Sequence, residues 1–193
     1  MKTFTRNLFT LILITFISTS INAQEKEKKK KKSPTEQRAE IDKMTSKALA
    51  ELYKVQPQAR NEIANAKGYA VFSNFGMNLL LLSTANGAGK AVSGGKSTYM
   101  KMYSGGVGVG IGVKKFNGIF IFKTTKAYRN FIEEGWQGGG QADAAAKDNK
   151  QGGAVAGAIS ISPDITFYQL TNKGLAAQAT IQGTKYWKDK DLN

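Results

Sequence analysis

The stretch that decides the fold spans residues 69–123 and reads YAVFSNFGMNLLLLSTANGAGKAVSGGKSTYMKMYSGGVGVGIGVKKFNGIFIFK. Short runs of β-branched and aromatic residues recur along it, and glycines lie between and within those runs. Such a composition is typical of β-strands. The dipeptides Asn86-Gly87 and Asn117-Gly118 predict turns between strands, and Gly76 is expected to separate two of them. The stretch therefore predicts a series of short strands joined by tight turns.

Helical patterns precede this stretch and follow it once. Residues 33–36 (Ser-Pro-Thr-Glu) predict a helix start, because the serine can cap, the proline suits the first position and the glutamate can complete a capping box. Pro57 is expected to open a second, short helix, and Thr124–Trp136 predicts a third. The first helix carries apolar residues at helical spacing: Ile41, Met44, Ala48, Leu49, Leu52 and Val55. We expect this stripe to pack on the sheet, although an amphipathic basic helix can also lie in a membrane interface.

Three closing strands are predicted at Val155–Ile161, Ile165–Leu170 and Leu175–Ile181. Because only one long helix interrupts the strands, a βαβ repeat is not expected. The predicted fold class is α+β, with N-terminal helices packed on a curled, mostly antiparallel, barrel-like β-sheet and one internal helix. Glycines that alternate with Val107–Val113 leave one strand face bare. A bare face permits sheet curvature or the close approach of a helix, a strand or a ligand.

Residues 1–23 are predicted to be a secretory signal peptide, with Lys2 and Arg6 ahead of an apolar run at 8–17. An uncleaved anchor is the alternative, but that run is short for a span of about 20 residues. Residues 24–32 form a polybasic segment, expected to be disordered, that acts as a spacer or as an electrostatic tether. Residues 33–193 form the domain. We therefore expect a secreted or periplasmic protein that is peripherally associated with a membrane.

The composition excludes much of enzyme chemistry. The chain has no His and no Cys, and its formal net charge is +14. The usual general bases, thiol nucleophiles and soft-metal ligands are therefore missing, and we expect no enzymatic activity, no cofactor and no metal site. Basic residues outnumber acidic ones within residues 33–193 as well. A basic domain attracts anions such as phospholipid head groups, lipopolysaccharide, nucleic acid or acidic glycans.

Two patterns point to other chemistry but fit it poorly. Gly89–Ser97 resembles a phosphate-binding loop, but its spacing is one residue too long and a strand pattern follows where a helix is needed. The carboxylates of Asp143, Asp148 and Asp164 lie in predicted loops and could bind a hard cation, although nothing resembles a calcium loop. A carboxylate-dependent hydrolase is therefore the less favoured alternative.

Lysines beside aromatic residues indicate a lipid interface. Tyrosine and tryptophan next to lysine are typical of residues at a bilayer surface, and they also suit single-stranded nucleic acid. Export favours lipid, so we expect no nucleic-acid partner. Ordinary solvated strand edges are the alternative for any single cluster. The candidate lipid-binding residues from these clusters are Lys96, Lys101, Lys114, Lys115, Tyr186 and Trp187.

Residues 66–72 (AKGYAVF) resemble the opening signature of the SYLF lipid-binding domain family. The glycine strand at Gly105–Gly112 and the segment Asn172–Leu175 are similar to later parts of that family's pattern. The resemblance implies a non-enzymatic domain that binds anionic lipids. Its eukaryotic members bind phosphoinositides and associate with actin, whereas its bacterial members are exported. Carried over by motif, Lys67 and Lys173 are expected to contact lipid head groups.

Together these patterns predict an exported, non-enzymatic module that binds anionic phospholipid or lipopolysaccharide head groups through basic residues and interfacial aromatics. The competing prediction is an envelope scaffold that binds a protein or polysaccharide partner.

Overall fold

A computed structural model describes residues 32–79, 82–107, 112–137, 157–172, 174–175 and 183–193. The helices are α1 (Pro34–Val55), α2 (Gln58–Asn65) and α3 (Thr125–Glu133). The strands are β1 (Gly68–Leu79), β2 (Leu82–Ser93), β3 (Lys96–Val107), β4 (Gly112–Phe122), β5 (Trp136–Gln137), β6 (Ala158–Ser162), β7 (Ile165–Thr171), β8 (Gly174–Leu175) and β9 (Thr184–Lys188). No helix within these described ranges combines the length and the apolar character needed to span a bilayer.

The strands form a single antiparallel sheet in the order β5-β9-β3-β2-β1-β4-β7-β6, with β8 paired to β7. The sheet curls into a half-barrel, and the three helices complete an α+β fold. The predicted fold class is therefore confirmed. Strands β1 to β4 are the longest and lie at its centre, so that residues from four consecutive strands share each end of the sheet.

The first helix begins as its sequence predicts. The Ser33 hydroxyl accepts a hydrogen bond from the Glu36 amide, and the Glu36 carboxylate accepts one from the Ser33 amide at 2.7 Å. Ile41, Ala48 and Leu52 of the predicted stripe are buried. Most of the α1 stripe therefore packs on the sheet, as expected, whereas Val55 at its end is 47% exposed.

Each face of the sheet has its own hydrophobic cluster. The inner face, which α3 covers, is aromatic, with Phe120 lying 4.6 Å from Phe167 between ring centroids. The outer face, which α1 and α2 cover, is aliphatic: Val71, Ile119 and Ile121 pack with the helices there. Both faces of the sheet therefore carry packed helices.

The predicted Asn-Gly turns are wrong. Both dipeptides lie inside long strands, where Gly87 pairs with Asn74 and Gly118 pairs with Phe72. A Cβ at Gly87 would lie 2.5 Å from the Ser73 carbonyl oxygen, so this glycine permits close packing rather than a turn. The predicted break at Gly76 is wrong for a related reason, since β1 continues through it to Leu79.

The turn between β2 and β3 uses Gly94 and Gly95 instead. Their φ angles are 54° and 77°, a left-handed pair that suits a two-residue hairpin turn. No other atom lies within 4 Å of a Cβ built at either glycine, so the turn projects into open space. Of the three predicted closing strands, the second matches β7, while parts of the first and third lie outside the described residues.

Candidate functional site

One end of the sheet gathers three exposed lysines from three separate segments, and we name it the lysine end: Lys67, Lys96 and Lys123. The Lys67 amide donates to the Phe122 carbonyl at 2.9 Å, which places Lys67 beside Lys123. The Lys67 carbonyl accepts from the Ser93 hydroxyl at 2.5 Å, and Ser93 pairs with Lys96 across the turn. Lys67 therefore lies between the other two.

Gly68 shapes this end of the sheet. A Cβ there would collide with the Tyr128 ring and lie 2.9 Å from the Val92 carbonyl oxygen. Tyr128 belongs to α3 and is 7% exposed, so the helix packs directly against the bare backbone next to Lys67. The Lys-Gly dipeptide thus combines an exposed cation with a close helix–strand contact.

The lysine end carries little compensating charge. Within the described part of the chain, none of its three lysines makes a salt bridge. Lys126, in the first turn of α3, is a fourth exposed lysine in the segment that follows Lys123. One carboxylate residue lies nearby, because the Lys123 amide donates to the backbone carbonyl of Asp164 at 2.9 Å. Cations predominate here, and their field favours an anionic partner.

Lys101 was predicted to contact lipid, but it is paired within the protein. Its ammonium lies 2.8 Å from the Asp189 carboxylate and 3.3 Å from that of Asp191. The hydrogen bond with Asp189 raises the pKa of Lys101 above its ordinary value, and burial opposes that rise. Lys90 is paired in the same way, 2.8 Å from Asp42. Both lysines therefore form ion pairs within the protein on the outer face of the sheet.

Tyr186 was predicted to enter a lipid interface, but the structure places it in the core. It is 2% exposed, and its ring lies 4.7 Å from that of Phe72. Burial raises the pKa of its hydroxyl. Alternation along β9 turns Tyr186 inward, whereas its half-buried neighbour Trp187 pairs with Lys101 on the outer face.

The remaining predicted residues lie away from the lysine end. Lys114 and Lys115 occupy the other half of β4, opposite Gly76 and Phe75. Lys173 lies outside the described residues, between Asn172 and Gly174. The eight predicted residues therefore do not form one surface, and the lysine end brings together only Lys67 and Lys96.

Lys123 is the site residue that sequence reasoning missed. It follows the apolar run IFIF directly, at the end of β4. Antiparallel pairing of β1 with β4 brings the start of one strand to the end of the other, so a lysine just before β1 and one just after β4 must meet. The position of Lys123 at the end of a strand could have been read from the sequence. The predicted turn at Asn117-Gly118, however, gave the wrong alignment of the two strands.

A groove of about 730 Å³ runs along α1. Lys43, Lys47 and Lys54 line it, but so do Glu40 and Glu51. Such mixed charge gives no preference for an anion.

Several carboxylates in the described ranges accept hydrogen bonds from tyrosine or lysine side chains. No group of three metal-ligating residues occurs among the residues that the structure describes. Asp42 accepts from Tyr99 and Lys90, and Glu62 accepts from Tyr168 at 2.9 Å. Of the loop carboxylates that suggested a hydrolase, Asp164 is exposed in the β6–β7 turn, while Asp143 and Asp148 lie outside the described residues.

Comparison with known proteins agrees with the resemblance seen in residues 66–72. Residues 103–193 match the family profile described as Ysc84, Las17-binding protein actin regulator. The chain is also similar to Beta cell expansion factor A from Aeromonas veronii, with 36% identity over 174 residues. That alignment covers 86% of this chain and 62% of the relative, so the chain spans less than two thirds of the relative's length. Residues 103–193 of the chain therefore match the Ysc84/SYLF family.

Proposed function

We propose that this protein binds anionic lipid surfaces through the lysine end of its sheet. The observation that carries the proposal is the convergence of Lys67, Lys96 and Lys123, each exposed and without a salt bridge among the described residues. Lysines that the fold does not pair are available for phosphate or carboxylate groups of lipid heads. The match of residues 103–193 to a family whose description names binding supports a binding role.

The expected strength follows from the number of lysines. A lysine near an anionic bilayer contributes about 1 kcal/mol, so three contribute about 3 kcal/mol, or roughly 100-fold in affinity. This attraction acts within about one Debye length and weakens as salt rises. The lysine end therefore supports reversible, salt-sensitive attachment.

Export and the polybasic segment belong to the same proposal. With residues 1–23 removed as a signal peptide, the protein is secreted or periplasmic and attaches to a membrane from outside the cytoplasm. The six lysines of residues 24–32 then lie on the chain just before the domain. We treat this segment as an auxiliary tether.

The test is flotation with phosphatidylglycerol vesicles in dilute buffer. The protein used is residues 33–193, which form one compact unit with its own core. We expect the unmodified domain to float and the triple variant Lys67→Glu, Lys96→Glu, Lys123→Glu to stay at the bottom. The matched control is Lys43→Glu, Lys47→Glu, Lys54→Glu, which changes net charge equally on the exposed flank of α1.

The control is expected to retain most of its flotation. Equal loss in both triple variants would show that net charge alone, rather than the lysine end, drives binding, and would overturn the proposal. Unfolding curves for all three proteins show whether each variant is folded.

A second candidate function is favoured by the family description, which names a Las17-binding actin regulator. A protein-binding scaffold predicts that the domain ignores vesicles and is retained by a protein partner in a pull-down without lipid. The flotation test separates the two functions directly.

A further inference from the structure

The residues that follow β9, at positions 189–193, contact both α1 and β3, and we name them the strap. The Asp189 amide donates to the Tyr99 carbonyl at 2.9 Å. The Asn193 side-chain amide donates to the same carbonyl at 2.8 Å, and its oxygen accepts from the Tyr99 amide at 3.0 Å. Both ends of the strap are therefore fixed to one residue of β3.

The middle of the strap holds the first turns of α1. Leu192 is 3% exposed, and its carbonyl accepts a hydrogen bond from Nε of Arg38 at 2.9 Å. The Arg38 guanidinium also lies 6.0 Å from the centre of the Tyr99 ring. Asp42, one turn further along α1, accepts from Lys90 at 2.8 Å and from the Tyr99 hydroxyl at 3.2 Å. Polar contacts thus fasten this part of α1 to the strap and to the sheet.

Apolar packing beneath the first turns of α1 is incomplete. A groove of about 470 Å³ lies where α1, the strap and the outer face meet, and Ile41, Ala88 and Leu192 contribute to its lining. Thr45 is 3% exposed, and its buried hydroxyl has no hydrogen-bond partner in the part of the chain that the structure describes. Protein interiors are normally close-packed, and a buried hydroxyl without a partner costs free energy. Residues 34–45 therefore depend largely on the polar contacts of the strap and the sheet.

The rest of α1 is held by aliphatic packing. Ala48 and Leu52 are fully buried. They belong to the outer-face cluster, together with Val71, Ile119 and Tyr168 of the sheet. Burial of apolar side chains stabilises a fold more than polar pairs that remain in contact with solvent. The strength of attachment therefore changes near the middle of α1.

We propose that residues 34–45 form a flap, which the strap holds closed and which opens while the rest of α1 stays packed on the sheet. Segments with few buried apolar contacts open at a lower free energy than the core of a domain. Opening separates Asp42 from Lys90 and Tyr99 and uncovers that part of the outer face. The strap therefore controls access to this surface. The flap requires no lipid, so it is independent of the proposed function.

Two substitutions distinguish opening of the flap from unfolding of the whole domain. Leu192→Ala removes packing that exists only while the flap is closed, so it should favour opening. Ile119→Val removes packing that the closed and open states share, so it should favour global unfolding and leave opening of the flap unchanged. The two variants are therefore a matched pair.

The test is native-state amide hydrogen exchange, followed by NMR on residues 33–193 at low urea concentrations where the rates report the opening equilibrium. A short helix is marginally stable once it leaves the sheet, so the amides of an open flap exchange. Relative to their intrinsic rates, the amides of residues 38–45 should exchange about tenfold faster than those of residues 49–52, or more, and should respond less to urea.

The variants give the decisive comparison. We expect Leu192→Ala to speed exchange at residues 38–45 about tenfold. Ile119→Val should speed exchange at residues 49–52 about fivefold and leave residues 38–45 unchanged. Faster exchange at both sets of amides in Ile119→Val would show that α1 opens only with the whole domain, and would overturn the flap. Rapid exchange at residues 38–45 that Leu192→Ala does not alter would show that the strap has no part in it, and would also overturn the inference.

Arg38→Met is a milder strap variant that serves if Leu192→Ala does not fold. It removes the hydrogen bond to the Leu192 carbonyl and should speed exchange at residues 38–45 about fivefold. An unchanged rate in the folded Arg38→Met protein would contradict the role of the strap.

Thiol labelling provides a second measurement, because the chain contains no cysteine. Thr45→Cys places a thiol in the flap where the hydroxyl has no partner among the described residues, and Ala48→Cys places one in the firmly packed half of α1. Under native conditions, the thiol at residue 45 should react with a thiol reagent about tenfold faster than the thiol at residue 48. Equal rates in two folded variants would contradict separate opening of the flap.

Discussion

Lys90 and Lys101 lie on the outer face and each contacts a carboxylate at 2.8 Å, whereas Lys67, Lys96 and Lys123 at the lysine end contact none in the described ranges. On the outer face, the lysines bridge elements that are distant in sequence: α1 to β2 in one case, and β3 to residues 189–191 in the other. At the lysine end, the hydrogen bonds of Lys67 and Lys123 among the described residues involve their backbone atoms.

The difference separates lysines that stabilise the domain from lysines that are available to a partner. A paired lysine cannot reach a lipid phosphate without leaving its carboxylate behind. A lysine whose backbone alone is fixed holds its charge at a defined place with no internal competitor. Substitutions on the two surfaces should therefore change different measurements.

The largest stability effect is expected from Lys101→Met. The substitution leaves the Asp189 carboxylate, whose side chain is 4% exposed, without its cation. Breaking a buried pair from one side costs about 3–5 kcal/mol, and solvent access to Lys101 places this case at the lower end. Urea unfolding measures the loss. Lys96→Met on the same strand is the control and should change the free energy of unfolding by less than about 0.5 kcal/mol.

Gly68→Ala tests how the lysine end is built. The new Cβ would collide with the Tyr128 ring, and overpacking of this kind costs about 1–3 kcal/mol. A second substitution, Tyr128→Leu, should recover part of that loss by making room. If Gly68→Ala unfolds at the same urea concentration as the unmodified domain, the close contact between α3 and β1 does not require a glycine at this position.

The polybasic segment should have a moderate effect that depends on salt. We expect residues 24–193 to bind phosphatidylglycerol vesicles about 30-fold more tightly than residues 33–193 in dilute buffer, as two effective lysines at about 1 kcal/mol each would provide. Added salt should remove the difference. Equal affinity of the two proteins would make the segment a spacer and leave the lysine end as the sole basic contact.

The smallest effect concerns pH. The hydrogen bond with Asp189 raises the pKa of Lys101 above its ordinary 10.5, so the folded state holds this proton more tightly than the unfolded state. The contribution is therefore complete below 10.5 and is lost as pH rises through the raised pKa. The stability difference between the unmodified domain and Lys101→Met should shrink in that alkaline range. A constant difference would indicate that the lysine acts through packing alone.

Local patterns in the sequence predicted the helices and strands better than they predicted how the strands pair. The capping box at Ser33, the α1 stripe and the fold class were correct because each depends on neighbouring residues. The Asn-Gly turns were wrong because Gly87 and Gly118 are required by inner-face side chains, Met102 and Phe167, that only the folded sheet brings close.

The candidate site was predictable in part for the same reason. Lys67 and Lys96 could be chosen from motif and composition, but their meeting with Lys123 depends on strand register. The pairing of Lys101 with Asp189 joins residues 88 positions apart, and nothing in either local sequence indicates it. The burial of Tyr186 likewise depends on which face of β9 meets Phe72.

The most direct test of the central claim is the dissociation constant of residues 33–193 for phosphatidylglycerol and for phosphatidylcholine vesicles across a series of salt concentrations. If unpaired lysines hold the domain on anionic membranes, it should bind phosphatidylglycerol vesicles alone. Its affinity for them should fall steeply as salt rises. Equal affinity for both vesicles, or no binding to phosphatidylglycerol even in dilute buffer, would contradict it.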